Sequence, residues 1–455
     1  MSYKHRMLPL ATLARQLADR TLTARDLVEE CLRRIEDPAG QGRIVFLKVA
    51  AQAARAQADA IDRQRAAGVS LPQFAGIPVA IKDLFDVRGD VTTAGSRVLR
   101  DAAPAERDAP VVASLRAAGF IVIGRTNMTE FAFSGLGLNP HYGTPLNVYD
   151  RATGRIPGGS SSGAAVAIAD DMAPATVGTD TGGSCRIPAA LNGIVGFKPT
   201  AKRVSRVGAV PLSTTLDSVG PLARTVECCA LLDAIMAGTT VEAPEAFPVA
   251  GLRLLLPTSI VLDDLDSHVA ACFERALDLL ARAGASISRA PLAELGRIPE
   301  LNANGGFSAP EAYEWHRVLL EKQQSAYDPR VGARILKGRE HSAADYLRLG
   351  RVRIDLCDRV RKVTSNYDAV VMPTVPVIAP PLRALESDDR EYFRMNGLML
   401  RNPALGNFLD RCAISIPMHR RGDAPAGLML MGEHDDDRRL FAVARGVEAV
   451  LRAAG

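Results

Sequence analysis

A Gly-Gly pair stands directly before a serine twice in this chain, in Gly158-Gly159-Ser160-Ser161-Ser162-Gly163 and in Thr181-Gly182-Gly183-Ser184, the latter inside the run GTDTGGSCR at Gly178–Arg186. Glycine has no Cβ, so backbone N–H groups beside it can approach a ligand closely. Around Ser184 this gathers the N–H donors of Thr181, Gly182, Gly183 and Ser184 about one point beside a hydroxyl, the layout that stabilises an oxyanion in acyl transfer. The same residues also describe a Gly-rich turn with a capping serine, and alone they do not separate the two readings. A third segment, Gly76-Ile77-Pro78-Val79-Ala80-Ile81-Lys82-Asp83, ends a hydrophobic run on a lysine. Such a lysine is either a surface residue at a strand end or, if buried, a base. Desolvation that lowers its pKa by ~3 units disfavours the ammonium by about 4 kcal/mol and leaves the amine substantially neutral near pH 7.

These segments need elements to hold them. Short β-like runs at Ile77–Ile81, Phe120–Gly124, Ala175–Gly178 and Ala369–Met372 alternate with helical patterns, which predicts an α/β fold. Residues 9–36 read as two helices, the second capped by Thr23 with Asp26 three positions on and an apolar face of Leu27, Cys31, Leu32 and Ile35. The stretch 76–222 is dense in Gly, Ser, Thr and Asn, as suits loops whose backbone makes contacts. Residues 240–345 read as largely helical, a candidate cover over the substrate pocket, and hold the only tryptophan, Trp315, beside His316. Leu440–Leu451 has the spacing of an amphipathic helix packing on the core. With no repeat and no low-complexity linker, residues 1–455 are expected to form a single domain.

Composition narrows the function classes. Of 455 residues, 47% are hydrophobic and 23% charged, as in an ordinary globular enzyme. The net charge is only +4 and the arginines are scattered, so no nucleic-acid partner is expected. No stretch reaches the ~20 apolar residues of a membrane span. The seven cysteines include no CxxC pair and read as reduced core thiols, and the N-terminal MSYKHRMLPLATLARQLADR lacks the features of a signal peptide, so a cytoplasmic location is expected. Gly159–Gly163 also matches G-x-S-x-G, with Ser161 in the nucleophile position, but no buried strand precedes it. Glu433-His434-Asp435-Asp436-Asp437 lacks metal-site spacing and reads as a solvated turn, so neither metal nor cofactor is expected.

Lysine, then GGSS, then TGGS, with Ser160 78 residues after Lys82 and Ser184 24 after Ser160, resembles the amidase-signature family. The likeness runs through Thr92–Ser96, Gly124–Phe131, Asn139-Pro140-His141 and Gly196–Thr200, and is strongest over about 76–222. It implies a large twisted mixed β-sheet covered by helices on both faces. It further implies that Lys82 is the catalytic lysine, Ser160 the bridging serine after a cis bond from Gly159, and Ser184 the acylated nucleophile. By the same likeness Asp180 and Arg186 fix the nucleophile loop, and Ala132 and Phe133 line the acyl pocket. The expected activity is hydrolysis of a small linear carboxamide to a carboxylate and ammonia or an amine. The run Asn407–Pro417 looks closer to that of stand-alone amidases than to the glutaminase subunit of tRNA-dependent amidotransferases, which is the alternative reading. A small-molecule amide is the expected partner, and a homodimer is a compatible assembly.

Overall fold

The computed structural model describes residues 7–454. Residues 1–6 and 455 lie outside it, and with them the start of the N-terminal reading and both ends of the single-domain reading.

Eleven strands among the described residues form one sheet. They are β1 (Phe46–Val49), β2 (Pro78–Lys82), β3 (Ile121–Thr126), β4 (Thr176–Asp180), β5 (Val195–Lys198), β6 (Ser218–Ala223), β7 (Arg253–Pro257), β8 (Ser286–Ala290), β9 (Ala369–Pro373), β10 (Ala413–Pro417) and β11 (Gly427–Met431). Their order across the sheet is β1-β3-β2-β4-β6-β5-β10-β11-β9-β7-β8. β2 runs parallel to β3 and β4, and β7 parallel to β8 and β9, while the remaining pairs are antiparallel. The sheet is therefore mixed, as expected. β2, β3, β4, β6, β9 and β11 are buried along their whole length, because helices cover both faces, whereas the edge strands β1 and β8 are partly exposed.

The four β-like runs of the sequence become β2, β3, β4 and β9. Helix Ala24–Glu36 opens on Thr23, whose Oγ1 accepts the Asp26 N–H at 3.0 Å, and buries Leu27, Cys31, Leu32 and Ile35. The last helix, Asp437–Ala453, buries Leu440, Phe441, Val443, Val447 and Leu451 against the sheet, with the Phe441 ring 4.1 Å from that of Phe197 on β5.

Residues 240–345 depart from the helical expectation, because they supply β7 and β8 as well as helices. The apolar run Leu254-Leu255-Leu256 is too short to show a period, and β8 is an edge strand with polar residues on it, so neither announces itself in sequence. Since β7 pairs with β9, this region contributes two strands to the main sheet.

In register, Ala80 lies beside Thr176 and Ile81 beside Val177, so the parallel strands β2 and β4 finish on the same side of the sheet, β4 two residues farther on. Helix Ser162–Ala169 starts directly after Ser161 and is buried from its first residue to Ile168. Lys82, Ser160 and the Ser184 loop are thereby delivered to one end of the sheet. Phe441→Ala should lower unfolding free energy by about 3–5 kcal/mol, the usual cost of emptying an aromatic core site. Urea denaturation checks this, and a loss below about 1 kcal/mol would mean that the helix does not anchor on β5.

Candidate active site

Lys82, the last residue of β2, is fully buried, and its Nζ donates to Ser160 Oγ and to Thr179 Oγ1, both at 2.8 Å. Neither acceptor is a carboxylate. Burial pushes the Lys82 ammonium down to about 8, against the opposing pull of the acidic groups nearby, Asp217 and Asp180 among them. Ser160 follows the expected cis bond from Gly159 and is itself fully buried. Ser184, 3% exposed, accepts the Ser161 N–H on its carbonyl at 3.3 Å, so the two serine segments are joined through their backbones. No hydrogen bond links the Ser160 and Ser184 hydroxyls among the described residues. Ser161 Oγ turns inward to the Thr179 carbonyl at 3.3 Å, which uses the hydroxyl that the G-x-S-x-G pattern singles out.

The shape of the Ser184 loop is set by Asp180. Its Oδ1 accepts the Gly183 N–H at 2.9 Å, Arg186 Nη2 at 2.8 Å and Asn407 Nδ2 at 2.9 Å, while Oδ2 accepts the Cys185 N–H at 3.1 Å and Arg186 Nε at 3.0 Å. Burial alone would raise this carboxyl, but the Arg186 charge and these hydrogen bonds outweigh it and hold it down to about 2. Arg186 continues to Asn407 Oδ1 at 2.7 Å. Of the four N–H groups expected to face an oxyanion, that of Gly183 is given to Asp180 in this structure. Gly183 has φ +127°, and a Cβ there would lie 2.5 Å from Pro403 Cβ, so this position admits only glycine. Thr181 is fixed from the other side, its Oγ1 donating to Asp217 Oδ1 while Asp217 Oδ2 accepts the Leu212 and Ser213 N–H groups. Thr179 and Asp217 also line a cleft of about 420 Å³ with Leu84, Val210 and the exposed Val207.

Ala132 and Phe133 are buried on a turn with two consecutive non-glycine residues at positive φ, Phe131 at 48° and Ala132 at 59°. That conformation is unfavourable on its own and persists because its surroundings hold it. Glu130, fully buried, does so by accepting Ser96 Oγ at 2.6 Å and the Asp328 N–H at 2.7 Å, with His141 Nε2 at 2.8 Å. Farther along, Asn396 Oδ1 accepts both Ser134 Oγ and the Gly135 N–H at 2.9 Å, and the Gly135 carbonyl accepts the Gly159 N–H at 2.8 Å. The segment from Ala132 to Gly135 and the peptide before Ser160 are thus joined by hydrogen bonds.

A family model described as Amidase matches residues 26–441. The chain belongs to the amidase-signature family. It is 36% identical to the 2-amino-5-chloromuconic acid deaminase of Comamonas testosteroni over 452 residues, covering 98% of this chain and 96% of that one. It is 34% identical to a glutamyl-tRNA(Gln) amidotransferase subunit of Cupriavidus taiwanensis over 489 residues, with 96% and 95% covered. A solved structure described as an amidase matches with a TM-score of 0.88 and 32% identity, over 97% of this chain and 99% of that one. The chain is accordingly an amidase-signature hydrolase, and no described helix is long and apolar enough to cross a membrane.

The sequence reading of this amidase-signature site missed Thr179, Asp217, Asn396 and Asn407. Thr179 lies inside the quoted GTDTGGS run and stands next to an end-of-strand lysine only through the β2–β4 pairing. Asn407, 227 residues from Asp180, has no local signal for its partner. Removing it leaves buried donors and acceptors of the Asp180–Arg186 pair unmet, so Asn407→Ala should cost about 1–3 kcal/mol of stability. A chemical-denaturation midpoint equal to that of the parent would refute this role.

Proposed function

We propose that this amidase-signature hydrolase cleaves a small linear carboxamide through an acyl-enzyme on Ser184, and the observation that carries the reading is the buried 2.8 Å hydrogen bond between Lys82 and Ser160. Neutral Lys82 takes the proton of Ser160, Ser160 takes that of Ser184, and Ser184 Oγ adds to the amide carbonyl. The hydroxyl contact between Ser160 and Ser184 closes when substrate binds, since catalytic hydrogen bonds commonly tighten in the Michaelis complex. The N–H groups of Thr181, Gly182 and Ser184 receive the oxyanion. Running the relay in reverse protonates the nitrogen, which leaves as ammonia or an amine, and water then releases the carboxylate and restores Ser184. Asp180 and Arg186 hold the loop without exchanging protons, and Ala132 and Phe133 border the acyl group.

The chain acts as one domain, a reading supported by the continuity of its sheet from β1 to β8. All seven cysteines are free, which suits the reducing cytoplasm. A second reading, the glutaminase subunit of a tRNA-dependent amidotransferase, is favoured by the 34% identity to one such protein over nearly the full length. Ammonia release by the purified chain from a panel of simple amides, glutamine included, separates the two: turnover without partners supports the first, and activity appearing only with two co-purifying subunits supports the second.

Ser184→Ala should reduce amide hydrolysis on the order of 10⁶-fold, and Lys82→Ala about 10²- to 10⁴-fold. Near-parental rates from Ser184→Ala would end the scheme. Because the lysine must be neutral and titrates at about 8, kcat/KM should fall as pH drops through about 8 and level off above it. A flat profile from pH 6 to 9 would remove Lys82 from the proton relay.

A further inference from the structure

Helix Ser308–Gln323, in the region 240–345, carries Glu311 in its first turn. Four donors meet on that carboxylate. Oε2 accepts Ser213 Oγ and the Thr215 N–H, the latter at 3.1 Å, while Oε1 accepts Thr215 Oγ1 and, at 2.6 Å, the hydroxyl of Tyr346. Three of the four donors belong to one short loop. The backbone N–H of Ser213 goes to Asp217 Oδ2 at 3.1 Å, beside that of Leu212 at 3.0 Å, and Asp217 Oδ1 receives Thr181 Oγ1. An unbroken run of hydrogen bonds therefore leads from Glu311 through Ser213 and Asp217 to Thr181 in the Ser184 loop.

Packing alone does not fix the middle of this loop. Leu212 and Leu216 are buried at its ends, but Thr214 between them is exposed. Thr214 lines two clefts, the one of about 420 Å³ that reaches Thr179 and a second of about 490 Å³ beside Glu311 and Tyr346. With a cleft at each of these surfaces, the position of the loop depends on directional contacts. Arg206 supplies one, its Nη1 donating to the Thr214 carbonyl at 2.6 Å, but it leaves the Ser213 side chain to Glu311. Hydrogen bonds to a carboxylate are the stronger, charge-assisted kind.

We propose that Glu311 is a positioning residue for the reaction at Ser184: by holding the Ser213–Asp217 loop it sets the orientation of Thr181, and with it the Thr181 N–H that receives the oxyanion. The proposal rests on the Ser184 reading above. The full oxyanion develops on the way to the tetrahedral intermediate and is absent from the bound substrate. Slackening one of its donors therefore lowers kcat and leaves KM alone.

The test compares Glu311→Ala and the milder Glu311→Gln with the parent on whichever simple amide of the panel is cleaved fastest. Glu311→Ala should lower kcat by about 10- to 100-fold at unchanged KM, the scale on which a misplaced catalytic contact acts. Glu311→Gln keeps an oxygen for Thr215 Oγ1 and Tyr346 and should recover part of that loss. A second measurement needs no substrate: labelling of Ser184 by a fluorophosphonate probe, whose phosphoryl oxygen takes the oxyanion position, should slow in both variants in step with kcat. A parental kcat in Glu311→Ala, or a loss confined to KM, overturns the proposal, as does a parental labelling rate. A lowered melting temperature with parental kcat well below it also overturns the proposal and leaves Glu311 as a support for the fold. Should Glu311→Ala not fold, the kcat, KM and labelling rate of Glu311→Gln decide in the same way. Failure of the Ser184 reading looks different, since the probe would then label nothing at that residue even in the parent.

Discussion

Five donors converge on the carboxylate of Asp180, and none of them can be spared cheaply, because Asp180 and Arg186 are both wholly out of water. An ion pair in that position survives only if its remaining hydrogen-bonding capacity is met, and removing one partner typically costs about 3–5 kcal/mol. The pair also dictates shape. Two of the donors are backbone N–H groups of the Ser184 loop, so the charge fixes the path of the chain on either side of Ser184. The Gly183 conformation is the local consequence, and the identity of the open N–H donors follows from it.

The same interior treats Lys82 in the opposite way. Asp180 is given a counter-charge and stays ionised, whereas Lys82 is given two hydroxyls and is pushed towards neutrality. Lys198 makes the contrast sharper. It is equally buried and also lowered, yet its Nζ donates to the carbonyls of Pro199 and Arg411. A carbonyl accepts a hydrogen bond and has no proton to pass on, whereas Ser160 Oγ has one. Burial lowers the pKa of either lysine, and the type of acceptor decides which can take part in a relay.

The turn at Phe131–Phe133 follows a third logic, that of strain held by a network. Phe131 and Ala132 adopt a turn that glycine would adopt without cost, and Glu130 stabilises it by bonding to Ser96 and to the first residue before helix Pro329–Leu336. The turn, the helix behind it and the Gly159 peptide are consequently linked by hydrogen bonds.

Sequence alone determined the α/β class, four of the strands, the capped N-terminal helix and the amphipathic last helix, because each rests on neighbouring residues whose periodicity or capping is local. It also marked out Lys82, Ser160 and Ser184, since glycine before serine and lysine at a strand end are short-range signals that family spacing then ties together. Tertiary structure alone decided that residues 240–345 put two strands into the sheet, that Gly183 surrenders its N–H to Asp180, and that Thr179, Asn396 and Asn407 join the networks around Lys82, Gly135 and Asp180. The physical reason is that strand pairing, desolvation and hydrogen-bond partnership depend on which distant segments meet, as Asn407 and Asp180 do across 227 residues, and no local pattern records the distance between them.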